Sequence, residues 1–359
     1  MRFELPDELE MLRSVVRDYA QSEVASGAIE RDAHERFDRA VFSKMAELGL
    51  TGIPVPETYG GAGVGWLAYV VVLEELAKVC ASTASVLAAH TAGAVWPLYR
   101  YGDEQVQQEQ LVPLASGNKL GGASLVNRRG WTPLLGTHPF VLNAGVADGF
   151  LMFAEQVYDD RSEPSALWVE SDPIGVTAAN IPISKLGLRA FPTGALTLAS
   201  SEIFPRGKMI AQGKRARGIL REVRTRLALS AAAQSVGIAQ GALEAAASYA
   251  KSRKQFGIPI GKQQGIMFKL ADMSIATEAS RLLVHQAAWQ LDVGMNTAVA
   301  QVQLARTHAA RSASMVAREA LQIHGGYGYI EEFQVERMLR DAMTLETAVG
   351  VGGLELRHR

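Results

Sequence analysis

Two short stretches carry the residues best suited to chemistry. RKQFG (253–257) sets Arg253 three residues ahead of Phe256, and QIHGGYGY (322–329) sets Gln322 three ahead of the pair Gly325 and Gly326. A guanidinium is a planar fork that donates two hydrogen bonds at once, which suits a pyrophosphate. Adjacent glycines let the backbone approach a cofactor closely. Gln264, a few residues on, adds an amide. Taken singly, Arg253 is equally a cation near a helix C-terminus, Gly257 a helix stop and Gly325–Gly326 a helix end.

An enzyme with such parts needs an acid or base within hydrogen-bond reach of its proton. The tail RDAMTLETAVGVGG (340–353) offers Glu346, then runs through Val349, Gly350 and Val351, none of which can take a proton. The blander reading of Glu346 is a solvated residue at a helix end. The seven histidines are scattered, with no HExxH pair, so no metal site is expected. His324 beside the glycines reads as packing. Cys80 is the only cysteine, which excludes an intrachain disulfide and reads as a small buried apolar residue.

The elements that must position these residues fall into three zones. Residues 1–118 read as helices. Pro6, Asp7 and Glu8 open the first, with Leu9, Leu12, Val16 and Tyr19 at helical spacing. A second carries Phe42, Met45 and Leu48 and stops at Gly49. In GIPVPETYGGAG (52–63) two prolines and four glycines exclude regular structure. Tyr59-Gly60-Gly61 is read as a turn there, and helical patterns follow at 66–95 and 103–115. Residues 119–213 change to short apolar runs between turn residues, PFVLNAG, GFLMFAE, SALWVES and GALTLAS, which predict strands. From 214 to 359 long helices return. LALSAAAQSVGIAQGALEAAASYA (227–250) is alanine-rich on nearly all faces, as a helix inside a bundle would be, and 262–292, 297–323 and 332–347 follow.

With 359 residues, the chain is long enough for two or three packed domains. Apolar residues make up 48% and charged residues 20%, ordinary for a soluble globular protein. Lysine plus arginine total 36 against 37 acids, so no net field draws nucleic acid or an anionic membrane. No signal-like start or membrane-length apolar run is present, and a cytoplasmic protein is expected.

Four stretches in order resemble the acyl-CoA dehydrogenase family, its short-chain, butyryl-CoA dehydrogenase-like members most. They are LGLTGIPVPETYGGAG (48–63), VLEELAKVCAS (72–82), YAKSRKQFGIPIGKQQ (249–264) and QIHGGYGYIEEFQVERMLRDA (322–342), with KLGLRAFPT (185–193) as a weaker fifth. The resemblance implies an α+β multidomain fold: an N-terminal helical domain, a small middle β-domain and a C-terminal four-helix bundle. It also implies FAD, which takes a hydride from the β-carbon of an acyl-CoA thioester while a glutamate removes the α-proton. An electron-transferring flavoprotein then reoxidises the flavin.

Against that family pattern the chain departs selectively. The family's usual base stands in a Glu-Gly-Thr run, and counting from Arg340-Asp341-Ala342 places Val349, Gly350 and Val351 there. Some members carry the base on the first bundle helix, where the count from Gly237-Ile238-Ala239-Gln240 gives Leu227. In the middle domain Leu125, Val126 and Asn127 replace a Thr-Glu-Pro motif. Phe140, Val141, Leu142 and Asn143 stand for Trp/Phe-Ile-Thr-Asn, with Leu142 in place of a flavin-bonding threonine. The segment between is shorter by roughly one hairpin, and each lost flavin hydrogen bond costs about 1–3 kcal/mol.

The resemblance further implies that Arg253, Phe256, Gln264, Gln322, Gly325 and Gly326 serve FAD across a subunit interface. The expectation is a base-less subunit completing the FAD site of a catalytic homologue, in a dimer or tetramer. The alternatives are a self-sufficient FAD enzyme with Glu346 as relocated base, and a binding scaffold.

Overall fold

The computed structural model describes residues 4–125, 131–158, 161–171, 176–179, 184–198 and 208–347. Val126, Asn127, Val349, Gly350 and Val351 therefore lie outside the described residues.

The N-terminal helices are α1 (Asp7–Tyr19), α2 (Ala28–Ala33), α3 (Arg39–Glu47), α4 (Gly65–Val79), α5 (Ala81–His90), α6 (Trp96–Tyr101), α7 (Glu104–Val106) and α8 (Val112–Ala115). Pro6 precedes the first turn of α1, which carries Asp7, Glu8 and Glu10 toward the positive end of the helix dipole. The pattern at 66–95 is not one helix. Cys80 is extended at φ −150°, ψ 100°, and ends α4 before α5 begins. It is a free, buried thiol. The glycine-rich stretch before α4 holds two 3-10 turns, Leu50–Gly52 and Glu57–Tyr59. Tyr59 packs edge-on against Tyr99 at 5.7 Å.

Among the described residues the middle region holds a seven-stranded sheet of β1 (Gly121–Ser124), β2 (Gly136–Leu142), β3 (Gly149–Tyr158), β4 (Arg161–Glu170), β5 (Val176–Ala179), β6 (Thr193–Leu198) and β7 (Lys208–Gln212). Their order is β5-β6-β2-β1-β3-β4-β7, antiparallel except where β1 pairs with β3. The four apolar runs of the sequence fall in β2, β3, β4 and β6. β1 carries no such signal. Gly121 and Gly122 stay bare because a Cβ would collide with Ala94 in one case and with Phe150 in the other.

The C-terminal part is helical. α9 (Gly213–Ser252) runs 40 residues, about 60 Å. After a short hairpin of β8 (Lys254–Gln255) and β9 (Ile258–Pro259) come α10 (Gln264–Asp292), α11 (Ala298–His324) and α12 (Val335–Glu346). α9 is buried without a break from Thr225 to Ala239, which is why alanine and serine crowd it. Gly237 and Gly241, one turn apart, face the backbone of α4 at Glu74 and Lys78. A side chain at either would force the two helices apart. No helix among the described residues is long and apolar enough to cross a membrane.

His90 joins the helices to the sheet. Its Nδ1 accepts from the Gly121 amide at 2.8 Å and its Nε2 donates to the Leu114 carbonyl at 3.1 Å. The ring is fully buried, and burial pushes its pKa down to about 3 from an ordinary 6.5. The unfolded chain thus binds a proton that the folded one refuses. Stability tied to His90 is whole above pH 6.5 and drains as pH falls from 6.5 toward 3, on the order of 5 kcal/mol in all. Urea midpoints at pH 7 and pH 4.5 should therefore converge in His90→Gln relative to the wild type. Equal pH slopes in the two proteins would remove His90 from this role.

Candidate functional site

The end of α9 and the end of α11 meet, and the cleft between them is built from both. Arg253 caps α9, its amide donating to the Tyr249 carbonyl at 2.8 Å. The chain then turns through the β8–β9 hairpin, whose two-residue tip is Phe256 at φ 53° and Gly257 at φ 83°. Positive φ at both tip residues is the geometry whose twist matches paired strands. Glycine takes it freely, whereas phenylalanine does so at a cost. Phe256 is also 95% exposed. Across the cleft α11 stops at His324 because Gly325 takes a positive φ of 59° with ψ −134°, outside any helical conformation.

The cleft has a volume of about 500 Å³ and is lined by Tyr249, Arg253, Gln255, Ile260, Gly325 and Gly326 among others. A Cβ at Gly325 or Gly326 would meet nothing within 4 Å, so the backbone there is bare and open to a ligand. The Arg253 guanidinium lies 5.5 Å from the centre of the Tyr327 ring, a cation–π contact that holds it at the wall. It is the one charged side chain among the described lining residues if His324 is neutral.

His324 is neutral at physiological pH. Burial lowers its pKa, its Nδ1 donates to the Ala320 carbonyl at 2.8 Å, and its ring stacks on Tyr249 at 4.4 Å. Phe333 packs edge-on against Tyr249 at 6.2 Å. These rings form an apolar floor below a single cation.

Of the residues singled out in the sequence, the structure brings Arg253, Gly325 and Gly326 to this cleft. Phe256 stands at the hairpin tip, Gln264 is exposed at the first turn of α10 and Gln322 is exposed on the last turn of α11, and none of the three lines it. Tyr249 and Tyr327 are lining residues that the motif reading passed over. The signal was present, since Tyr249 sits four residues before Arg253, on the same helix face.

Elsewhere the candidate positions are scattered. Leu227 is fully buried in the middle of α9. Glu346 is exposed at the last residue of α12. Leu125 is half-buried and its amide donates to the Phe140 carbonyl at 3.3 Å. Val141 and Leu142 are buried, and Phe140 is half-exposed. Asn143, left-handed at φ 56°, donates its amide to the carbonyls of Val86 (3.2 Å) and Gly121 (2.9 Å). It is a structural clasp between sheet and helix.

Comparison with known proteins matches residues 6–118 to the family model "Acyl-CoA dehydrogenase, N-terminal domain" and residues 222–357 to "Acyl-CoA dehydrogenase, C-terminal domain". The chain is 37% identical to the short-chain specific acyl-CoA dehydrogenase of Clostridium acetobutylicum, covering 99% of this chain and 97% of that protein. It is 33% identical to the mitochondrial short-chain specific acyl-CoA dehydrogenase of Sus scrofa, covering 98% and 89%. Its fold superposes on butyryl-CoA dehydrogenase from Megasphaera elsdenii with a TM-score of 0.90 at 31% identity, over 98% of this chain and 97% of that one. The N-terminal helical domain, the small middle sheet and the C-terminal helical domain follow the same plan. The chain belongs to the acyl-CoA dehydrogenase family.

Proposed function

We propose that this chain is a base-less subunit that completes the FAD site of a catalytic homologue in an α,β-desaturating acyl-CoA dehydrogenase complex. Proteins of the family generally carry FAD, and bound FAD would accept the hydride that desaturation releases. The observation that carries the reading is an asymmetry in what this chain offers such a group. Leu227 is sealed in the core with no carboxylate, and Leu142 is buried with no hydrogen-bonding side chain. A flavin ring held by this chain's own sheet would lose a partner at Leu142. The cleft at the end of α9, in contrast, fits a pyrophosphate. Arg253 supplies a donor fork, Gly325 and Gly326 expose bare backbone, and His324 stays neutral beneath them. Phe256, Gln264 and Gln322 do not line it but are exposed, where a neighbouring subunit can reach them.

An assembly also accounts for α10. Phe268, Ile275, Leu282 and Trp289 recur every seven residues along it and are 60%, 67%, 47% and 49% exposed. A straight apolar row of that length is left wet in an isolated chain and covered in an oligomer. Glu346 sits exposed in water at a helix end, so the alternative of a relocated base gains nothing from its position.

The test is to count flavin. The chain purified alone should be colourless. Co-expressed with a homologue that keeps the carboxylate, it should co-purify with about half a flavin per chain. A yellow protein with one flavin per chain when expressed alone, bleached by butyryl-CoA, would overturn the proposal.

A further inference from the structure

The first turns of α9 carry an unbalanced charge. From Lys208 to Arg221 the sequence holds five cations (Lys208, Lys214, Arg215, Arg217 and Arg221) and no acid, in a chain whose net charge is −1. Lys208 is paired with Glu109. Lys214, Arg217 and Arg221 are spaced three and four apart, so they share one face of α9, and all three are exposed. Among the described residues none of them has a carboxylate within ion-pair reach, whereas exposed cations such as Arg36, Arg39 and Lys44 are each matched to an acid. The row is about 10 Å long.

The next acid, Glu222, does not quench the row. Its carboxylate is turned inward, accepting from Trp96 Nε1 at 2.7 Å and from the Tyr101 hydroxyl. Below it Arg226 is clamped between Trp66 and Trp96, 4.5 and 5.1 Å from the ring centres. The segment presenting the cations is therefore held rigidly, which lowers the ordering cost of docking anything on it.

The shape selects the kind of partner. The row stands on the convex side of a helix and does not line the cleft at the far end of α9, and small ligands are held in concave pockets. An extended polyanion would also meet the remaining surface, which must be net acidic if the whole chain is nearly neutral. What fits is a compact acidic surface of matching length, such as one helix with carboxylates at the same spacing. We infer that Lys214, Arg217 and Arg221 form a docking row for an acidic carrier protein, the kind that bears an acyl group as a thioester on a prosthetic arm. In a family that acts on acyl thioesters, such a carrier joins this charge pattern to the substrate chemistry. The inference does not depend on where FAD is held.

The probe is a butyryl-loaded acyl carrier protein, and its binding to the full chain and to the co-expressed complex is measured at low and moderate salt. Binding should be saturable and should weaken with salt. Arg217→Glu with Arg221→Glu should weaken it about tenfold or more, since charges at an interface rim set encounter and register. Arg36→Glu with Lys44→Glu changes net charge equally on another face and should leave binding within about twofold. If the glutamate pair disturbs folding, Arg217→Gln with Arg221→Gln serves instead. Failure to bind, or equal loss in the Arg36/Lys44 control, overturns the inference. So does displacement of the carrier by free coenzyme A, which would make the row a phosphate site. Tighter binding of duplex DNA or anionic vesicles would likewise overturn it, marking the row as a general polyanion contact.

Discussion

Arg253→Ala is expected to strip flavin from any complex that contains this chain, with retention falling about ten- to a hundredfold. A charge-assisted hydrogen bond contributes about 1.5–3 kcal/mol, and a bidentate arginine makes two such bonds to one anion. Nothing else in the cleft can replace it, because the other described lining groups are neutral. The fold should be untouched, since Arg253 is a half-exposed helix cap whose side chain packs on the Tyr327 ring. Equilibrium dialysis of the complex, followed by fluorescence of released flavin, reads the effect directly. Arg253→Lys is the informative companion. It keeps the charge and loses the fork, so it should recover only part of the retention. Unchanged flavin in both variants would place the cofactor elsewhere and remove the main support for a cross-subunit role.

Asp341→Ala should cost about 3–5 kcal/mol and lower the melting temperature by several degrees, because it breaks a buried charged joint. Asp341 is 1% exposed and accepts from the Leu188 amide at 2.6 Å, with Arg337 3.7 Å away. The joint holds the loop KLGLRAFPT against α12. Next to it Arg340 reaches the Leu186 carbonyl at 3.1 Å and Asp32 at 2.7 Å, and Gly187 passes so close to the Arg340 carbonyl that no side chain fits. Asp341→Asn keeps an acceptor and should cost much less. Its pH behaviour is a second readout. Burial raises the Asp341 pKa to about 6 from an ordinary 3.8, so the folded state holds the proton more tightly than the unfolded one. Stability from that proton is complete below pH 3.8 and is lost as pH rises through 6, opposite in sign to the His90 contribution. Asp341→Asn should remove this part of the slope. A slope identical to the wild type would mean the carboxyl does not titrate there.

The fold was legible where periodicity is strong. The helices from α9 onward follow from three-and-four spacing, and β2, β3, β4 and β6 follow from compact apolar runs. β1 was invisible because Gly121 and Gly122 are chosen for close contact with their neighbours and carry no strand propensity. The break at Cys80 was invisible for a related reason. Both sides of it are buried, so the apolar pattern continues across a backbone that does not.

For function, the sequence by itself determined which chemistry the chain can supply. It set the order of the motif-like stretches, the apolar identity of Leu227 and Val349, and the presence of Arg253 and the paired glycines. Residue identity is a local property, and no folding can give Leu227 a proton acceptor. The tertiary structure decided which of those residues act together. Arg253 and Gly325 are 72 positions apart and share a cleft because α9 and α11 end at the same place, whereas Gln322, three residues from Gly325, is exposed and does not line it. It also decided that Asp341 is a clasp and that Lys214, Arg217 and Arg221 stand exposed in a row with no acid within ion-pair reach among the described residues. Exposure and pairing depend on what the rest of the chain brings alongside, and spacing along the sequence carries no record of that.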